Sequence, residues 1–237
     1  RTDVAMLWEY LNTTKPLCVV MAPPCTGLAG WAGLNRQNNP VGFWNSFRTS
    51  SALARLSLQV ASHQVSHGRH YVIENPHGSQ LFTKAEWEDF GLRRQPLYSV
   101  VFDQCCVGLK SRLGTPVRKP TMLVSSSDLI LAQFVNKRCN GRHPVHALIG
   151  HRGVYSPEIE VIRSSETATW PREFCQRLAA GIADLARTTT HFTTTQHDHD
   201  HEDDHDHEPL HDRTTTQHHI HDSPLSSEIF FPAAPGG

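Results

Sequence analysis

Two short segments place reactive side chains just beyond apolar runs. Pro23-Pro24-Cys25 follows the run at 17–22, and Glu74-Asn75-Pro76 follows Tyr71-Val72-Ile73. A thiol at the mouth of one buried strand and a carboxylate behind another offer a nucleophile and an acid to one cleft, the pairing that covalent catalysis uses. A third apolar run, 98–102, stops at Asp103-Gln104-Cys105, so a second carboxylate and a second thiol share the position of the first pair.

The elements that must carry these residues read as alternating helices and strands. Val4, Leu7, Trp8 and Leu11 recur at helical spacing, and Pro16 then breaks the pattern before the strand at 17–22. Residues 26–44, with Gly27, Gly30, Gly33, Gly42 and Asn38-Asn39-Pro40, read as an irregular loop shaped around a ligand. A helix is expected over 50–66 and a strand over 71–73. A further helix over 84–90 precedes the strand at 98–102, and 121–125 makes another strand. A short helix follows at 129–136, and a closing helix over 171–186 carries Phe174, Leu178, Ile182 and Leu185 on one face. This alternation predicts an α/β fold, a mostly parallel sheet with helices on both faces, whose ligands gather beyond the carboxyl ends of the strands.

With 38% hydrophobic content in 237 residues, the chain can bury one sizeable core, expected over 1–187. From residue 188 the composition turns to Thr repeats and alternating His and Asp. That stretch lacks the apolar content to offset its ordering entropy and reads as a disordered tail, a loose binder of metal at most. A net charge of −1 announces no global basic field, so nucleic-acid contacts must come from local Arg and Lys. No apolar run of about 18 residues offers a membrane span, and no leader is evident, so a soluble intracellular chain is expected. It begins at Arg1 rather than Met, as a fragment or processed piece would. Six cysteines spread through the chain suit buried, catalytic or metal-bound thiols better than a disulfide framework.

The Pro-Pro-Cys and Glu-Asn-Pro pair resembles the DNA cytosine-5 methyltransferase family, over 17–36 and 69–77. The resemblance implies a Rossmann-like methyltransferase-type sheet, with Cys25 attacking C6 of a flipped cytosine and Glu74 holding the ring at N3 and the exocyclic amine. Asn75 would orient the loop. A thiolate favoured by oriented backbone N–H groups and a carboxyl held by low-dielectric surroundings fit these roles. Gly114-Thr115-Pro116-Val117-Arg118-Lys119-Pro120 looks like a degraded form of the family's arginine segment, making Arg118 the candidate for the catalytic region or a DNA phosphate, with Lys119 as the fallback. The implied donor is S-adenosylmethionine, bordered by Pro23, Pro24 and Asp103, and the implied partner is nucleic acid, DNA. The family's Gly-rich donor loop has no counterpart before Leu17, and its target-recognition region is also missing. The domain is therefore expected to be N-terminally truncated and inactive alone. The run Asp103-Gln104-Cys105, Gly108, Lys119-Pro120-Thr121 and a Cys/His loop also resembles methyltransferase-like modules of mobile-element polyproteins.

That Cys/His loop supplies a separate reading. Cys139, His143 and His146 follow a Cys-x3-His-x2-His spacing, and Cys105 or Cys106 can complete a tetrahedral Zn²⁺ site; the set expected is Cys105, Cys139, His143 and His146. Such a centre would suit a non-catalytic, zinc-stabilised nucleic-acid-binding or assembly module. A third reading pairs Cys25 with His77 as its base. His63, His67 and His70 read as solvent-facing or capping imidazoles and the tryptophans as packing residues, with base stacking by Trp31 and Trp44 the alternative.

Overall fold

The computed structural model describes residues 2–30, 32–141, 143, 145–149, 160–162 and 164–197, with side chains omitted at 164 and 190–197. The chain divides into two units, Arg1–Thr189 and Thr190–Gly237. The disordered tail expected from residue 188 lies mostly outside the described residues. Its first ten residues, however, continue a helix that the pattern ends at residue 186. Thr188 and Thr189 sustain that helix locally by donating their hydroxyls to the Leu185 carbonyl.

Helix α1 (Asp3–Thr14) is capped by the Thr2 hydroxyl and closed by Lys15 in the left-handed conformation, as Pro16 requires of a helix end. Strand β1 (Cys18–Met21) follows. The expected loop over 26–44 is largely helical instead: a short turn leads to α2 (Ala32–Asn38) and then α3 (Pro40–Ser66). Asn39 and Pro40, expected as loop punctuation, are the N-cap and first residue of α3, and the Asn39 side chain accepts the Gly42 N–H. Strand β2 (His70–Pro76) leads through α4 (Glu86–Asp89) to β3 (Tyr98–Asp103). Strand β4 (Pro120–Ser125), α5 (Asp128–Ala132), the short pair β5 (Leu148–Ile149) and β6 (Val161–Ile162), and α6 (Arg172–His197) complete the order.

The α/β class holds, but the main sheet is mixed. Its order is β1-β2-β4-β3; β1 pairs parallel with β2, whereas β4 lies antiparallel to both β2 and β3. A parallel return needs a crossover, usually a helix packed on the sheet. The β3–β4 connection carries only a 3₁₀ turn and an irregular loop, so β4 returns antiparallel. The consequence is functional. Strands β1, β2 and β3 end at one edge of the sheet, and β4 begins there, with Asp103 opposite Pro120 and Pro76 opposite Thr121. The start of one strand and the ends of three others are thus delivered to the same place.

Helices cover both faces. Tyr71, Ile73 and Val124 pack against Ala54, Leu58 and Ala61 of α3. The intervening residues Val72 and Leu123, with Phe102, pack against Ile130, Phe134, Phe174 and Leu178 on the other side. This alternation is the period-two pattern of a sheet buried on both faces. The buried Gln64 amide pins α3 to the sheet, donating to the carbonyls of Pro16 and His70 at 3.0 Å each. Among the described residues no helix is long and apolar enough to cross a membrane.

Helices α5 and α6 touch at Gly181, where an added Cβ would stand 2.7 Å from Ile130 Cα. Backbone cannot yield as a side chain tip can. Gly181→Ala is therefore expected to lower stability by about 1–3 kcal/mol as overpacking does. Thermal unfolding followed by circular dichroism should show a Tm fall of about 2–4 °C for each kcal/mol in a domain of this size.

Candidate functional site

At the shared strand edge lies a cleft of about 1840 Å³ whose walls include Pro23, Pro24, Cys25, Glu74, Asn75, His77, Arg118, Lys119, His146 and Trp170. Cys25 and Glu74 face one space. Two devices hold the Cys25 loop there. After β1, the Cys25 carbonyl accepts the amides of Leu28 and Ala29 at 2.9 and 2.8 Å, closing a tight turn. Gly27 lets this turn press on α3: an added Cβ would meet Phe47 Cα at 2.5 Å. From the other strand, the buried Asn75 side chain donates to the Pro23 carbonyl at 2.8 Å and to the Glu74 carbonyl at 3.1 Å. Pro23 and Pro24 accordingly line the cleft, with the Pro23 carbonyl already engaged.

The electrostatics follow from burial. Glu74 is 6% exposed, and loss of water pushes its carboxyl above the usual range, with the Lys119 charge and a hydrogen bond from the Trp170 side chain pulling the other way. Burial also pushes the Cys25 thiol up; Lys119 lowers it, an ionised Glu74 raises it, and its own backbone amide lowers it. The expectation of a thiolate favoured by backbone N–H groups is thus corrected: the amide acts in that direction, but desolvation outweighs it. Two buried acceptors of cleft-lining residues, Glu74 Oε1 and Asn75 Oδ1, have no hydrogen-bond partner among the described residues. Native proteins rarely leave such atoms unmatched away from water; among the described residues Ser51, Tyr71, Asp103 and Gln104, outside the cleft lining, carry unmatched buried atoms as well.

Arg118 reaches the cleft, half exposed, with its Nε 3.5 Å from Asp103 Oδ1. Asp103 itself does not line the cleft. It is fully buried, flanked by Arg118 and by Arg138 at 3.4 Å, and accepts the Cys139 backbone amide at 2.8 Å. Its Oδ2 faces Arg138 and the amide, while Oδ1, beside Arg118, has no hydrogen-bond partner among the described residues. Lys119, the fallback candidate, acts electrostatically on both Cys25 and Glu74 while its Nζ donates to Thr167 O at 3.0 Å. Trp170, expected as a packing residue, hydrogen-bonds Glu74. Its place just before α6 carries no sequence signal for that role, since only the tertiary fold brings it to β2.

The metal reading changes by one ligand. Ligand atoms of Cys105, Cys106, Cys139 and His143 all lie within 4.8 Å of one another. His146 stands outside that set, lining the cleft with its Nε2 3.4 Å from Cys139 Sγ. The adjacent cysteines both contribute because a 3₁₀ turn over Gln104–Val107 follows Asp103 directly. Burial first, then the neighbouring Cys106, raises the Cys105 thiol.

Of the remaining candidates, His77 joins the cleft and the others do not. His77 lines the cleft with its side chain exposed. The His63 and His67 rings lie tilted to each other with centroids 4.3 Å apart, but the Arg69 guanidinium lies 3.1 Å from His63 Nε2, an arrangement unsuited to a cation. Trp44 packs edge-on against Phe43 and Phe47 away from the cleft lining, with Arg36 over its ring. Trp31 and the His-rich stretch beyond residue 197 lie outside the described residues.

Cys25 chemistry gives a direct test. In a Cys175→Ser background, which removes the exposed thiol on α6, iodoacetamide should alkylate Cys25 with a pH midpoint above that of free cysteine. Glu74→Gln removes a negative neighbour and should move the midpoint down; Lys119→Met should move it up. Mass spectrometry of the Cys25 peptide reads both. Cys18, pushed up to about 12 by burial in β1, should stay unmodified throughout.

Glu74 also carries a stability signature. Its native pKa is raised, so the folded state holds the proton more tightly than the unfolded chain does. That stabilising contribution is complete below the ordinary glutamate range and disappears as pH rises through the native value. Glu74→Gln never ionises, so it should match the wild-type Tm near pH 4 and exceed it near pH 8, by about 2–4 °C for each kcal/mol recovered. Comparison with protein-family models, curated proteins and solved structures finds no match to this chain, so the functional reading rests on the geometry of the cleft.

Proposed function

We propose that the cleft receives a pyrimidine base of a nucleic acid and that Cys25 adds to its ring, the chemistry of the DNA cytosine-5 methyltransferase resemblance. The observation that carries this reading is the meeting in one cleft of the Cys25 thiol, a buried Glu74 with a raised pKa, and two unpartnered buried acceptors. A neutral Glu74 carboxyl donates its proton toward ring N3 while an acceptor takes the exocyclic N–H, the complementarity a cytosine edge demands. The size of the cleft, beyond the roughly 300–1,000 Å³ of a small-ligand pocket, suits a base with its flanking strand. Arg118 and Lys119 on its wall supply positive charge for phosphate.

The step balances without a second substrate. Cys25 loses its proton to solvent, sulfur bonds to C6, the displaced electron pair passes into the ring toward C5, and N3 receives the Glu74 proton. Water then protonates C5. In reverse C5 loses a proton, the S–C6 bond breaks, and N3 returns its proton to Glu74. Each cycle can exchange the C5 hydrogen with solvent.

S-adenosylmethionine does not fit the described residues. Among the described residues β1 is the sheet edge, and the turn after it is closed by the Cys25 carbonyl and pressed onto α3 at Gly27, which leaves no open strand-to-helix turn there to cradle a donor. No methyl-transfer step is therefore assigned. We read the α/β core as a derivative of a Rossmann-like methyltransferase-type sheet, a reading supported by three codirectional strands, the first two of which end at the cleft.

A second reading is favoured by the Cys/His cluster: a zinc-stabilised nucleic-acid-binding or assembly module in which the cleft binds without reacting. Tritium release separates the two. Oligonucleotides carrying [5-³H]cytosine, single- or double-stranded, should release label to water in the presence of the protein; Cys25→Ser should abolish release, and Glu74→Gln should slow it by about 10²-fold or more. Binding of the oligonucleotide without release, or release that persists in Cys25→Ser, overturns the enzymatic reading.

A further inference from the structure

His146, Ala147, Leu148 and Ile149 form part of the cleft wall, and the described residues of 136–149 hold no regular structure before the two-residue strand β5. The stretch is attached by a small apolar cluster of Leu109, Val117, Ala147 and Ile162, by the Ala147 amide on Pro116 O, and by the Cys139 amide on Asp103. Cys139 and His143 lie within it, and close to them stand Cys105 and Cys106 of the 3₁₀ turn that follows β3. We propose that these four side chains bind one Zn²⁺ ion as a closed structural centre, and that this centre anchors the 136–149 wall to the end of β3.

Three features argue for it. The ligand types and number are those of a Cys₃His zinc site, closed to substrate because all four positions come from the protein. Their spacing is close to what the ion needs: zinc–sulfur bonds of about 2.3 Å put neighbouring ligand atoms about 3.8 Å apart, so the present limit of 4.8 Å asks for only a modest contraction. The backbone is also shaped for the purpose. Gly141, at φ +79°, turns the chain between Cys139 and His143 so that both return to the same side, a conformation side-chain-bearing residues rarely adopt.

The surroundings extend the site. Asp103 accepts the amide of the ligand Cys139, holding that residue through its backbone, and pairs with Arg118 on the cleft wall. His146, beside Cys139 Sγ but outside the mutual set, serves as an outer neighbour rather than a ligand. The centre thus reaches the cleft through two residues that bind no metal themselves.

Cobalt substitution tests the proposal in the full chain, independently of whether Cys25 reacts. Cobalt bound through cysteine shows a thiolate-to-metal charge-transfer band, whereas cobalt on the His-rich stretch after residue 188 cannot, because no cysteine lies beyond Cys175. Reduced wild-type protein titrated with Co²⁺ should develop that band with the visible absorption of a tetrahedral site, saturating at one ion and bleached by one equivalent of Zn²⁺. Cys106→Ser should weaken binding at least tenfold; His146→Ala and Cys175→Ser should leave the band unchanged. Because a cysteine variant can fail by misfolding, its far-ultraviolet circular dichroism is compared with wild type. Chelation of bound zinc should speed proteolytic cleavage within 136–149 at least tenfold while the β1–β4 core remains uncut. Three results overturn the proposal: no thiolate band in wild type, a band lost in His146→Ala but kept in Cys106→Ser, or a Cys105–Cys139 or Cys106–Cys139 disulfide that holds the loop against chelator. Cleavage within 136–149 unaffected by chelation overturns the anchoring role.

Discussion

One hydrogen bond sets the register of the whole cleft: Asn75 Nδ2 to the Pro23 carbonyl, 2.8 Å, between two strands that are already parallel neighbours. Backbone pairing ends with Met21 opposite Ile73, and beyond that point nothing in the sheet itself obliges the two chains to stay together. Pro23 and Pro24 have no N–H with which to extend the ladder, and their fixed φ carries the chain outward. Asn75 replaces the missing ladder bond with a side-chain one. It therefore decides that Cys25 turns back over Glu74 rather than away from it, and Gly27 then lets the turn settle against α3. Sulfur, carboxylate and lysine can influence one another only because of this tie.

The tie also makes the cleft costly. Glu74 and Asn75 hold buried oxygens without protein partners, and burial raises both the Glu74 carboxyl and the Cys25 thiol. The unmatched oxygens are a local loss of stability, and ionisation of Glu74 adds to it as pH rises. The two flanking layers offset it. Ring contacts of Phe102 with Phe134 and Phe174, at centroid distances of 5.0 and 5.7 Å, sit directly under the strand that ends at Asp103. Rigid packing beneath the edge and unmatched polarity above it are complementary halves of one design, since a softer sheet would let the two loops drift until the orphaned oxygens met water.

How much of this could be read from residues alone depended on the range of each interaction. The strands, the helices over 3–14 and 172–186, and the two motifs at strand ends are local, and apolar periodicity locates them. The 26–44 stretch misleads because Asn39-Pro40 is a loop signal and a helix-start signal at once; only the continued packing of Phe43, Ala54 and Leu58 decides between them. The sheet's direction misleads because β–α alternation implies parallel strands unless the connection is short of a helix, as that between β3 and β4 is. Trp170 and Lys119 carry no local mark of their roles. Their effect on Glu74 arises from chain returning to β2 from far along the sequence, which no spacing rule encodes.

Asp103 shows how the same local signal can conceal opposite roles. It ends β3 and Glu74 lies near the end of β2, and each has one buried oxygen without a hydrogen-bond partner among the described residues; Glu74 lines the cleft, while Asp103 lies between two guanidinium groups and accepts the Cys139 amide. A carboxylate with no exposure demands compensation, because removing a charge from water costs more than a single imperfect pair returns. Arg118 and Arg138 stay half exposed, so the charge is shared with solvent through their outer faces rather than sealed in. That arrangement makes Asp103 a structural link, joining the arginine on the cleft wall to the backbone of a metal-ligand candidate. The difference between the two acids follows from β4. Entering antiparallel at this edge, it brings Arg118 onto Asp103 and Lys119 toward Glu74, so adjacent residues of one strand entry make one carboxylate a strut and leave the other free for chemistry.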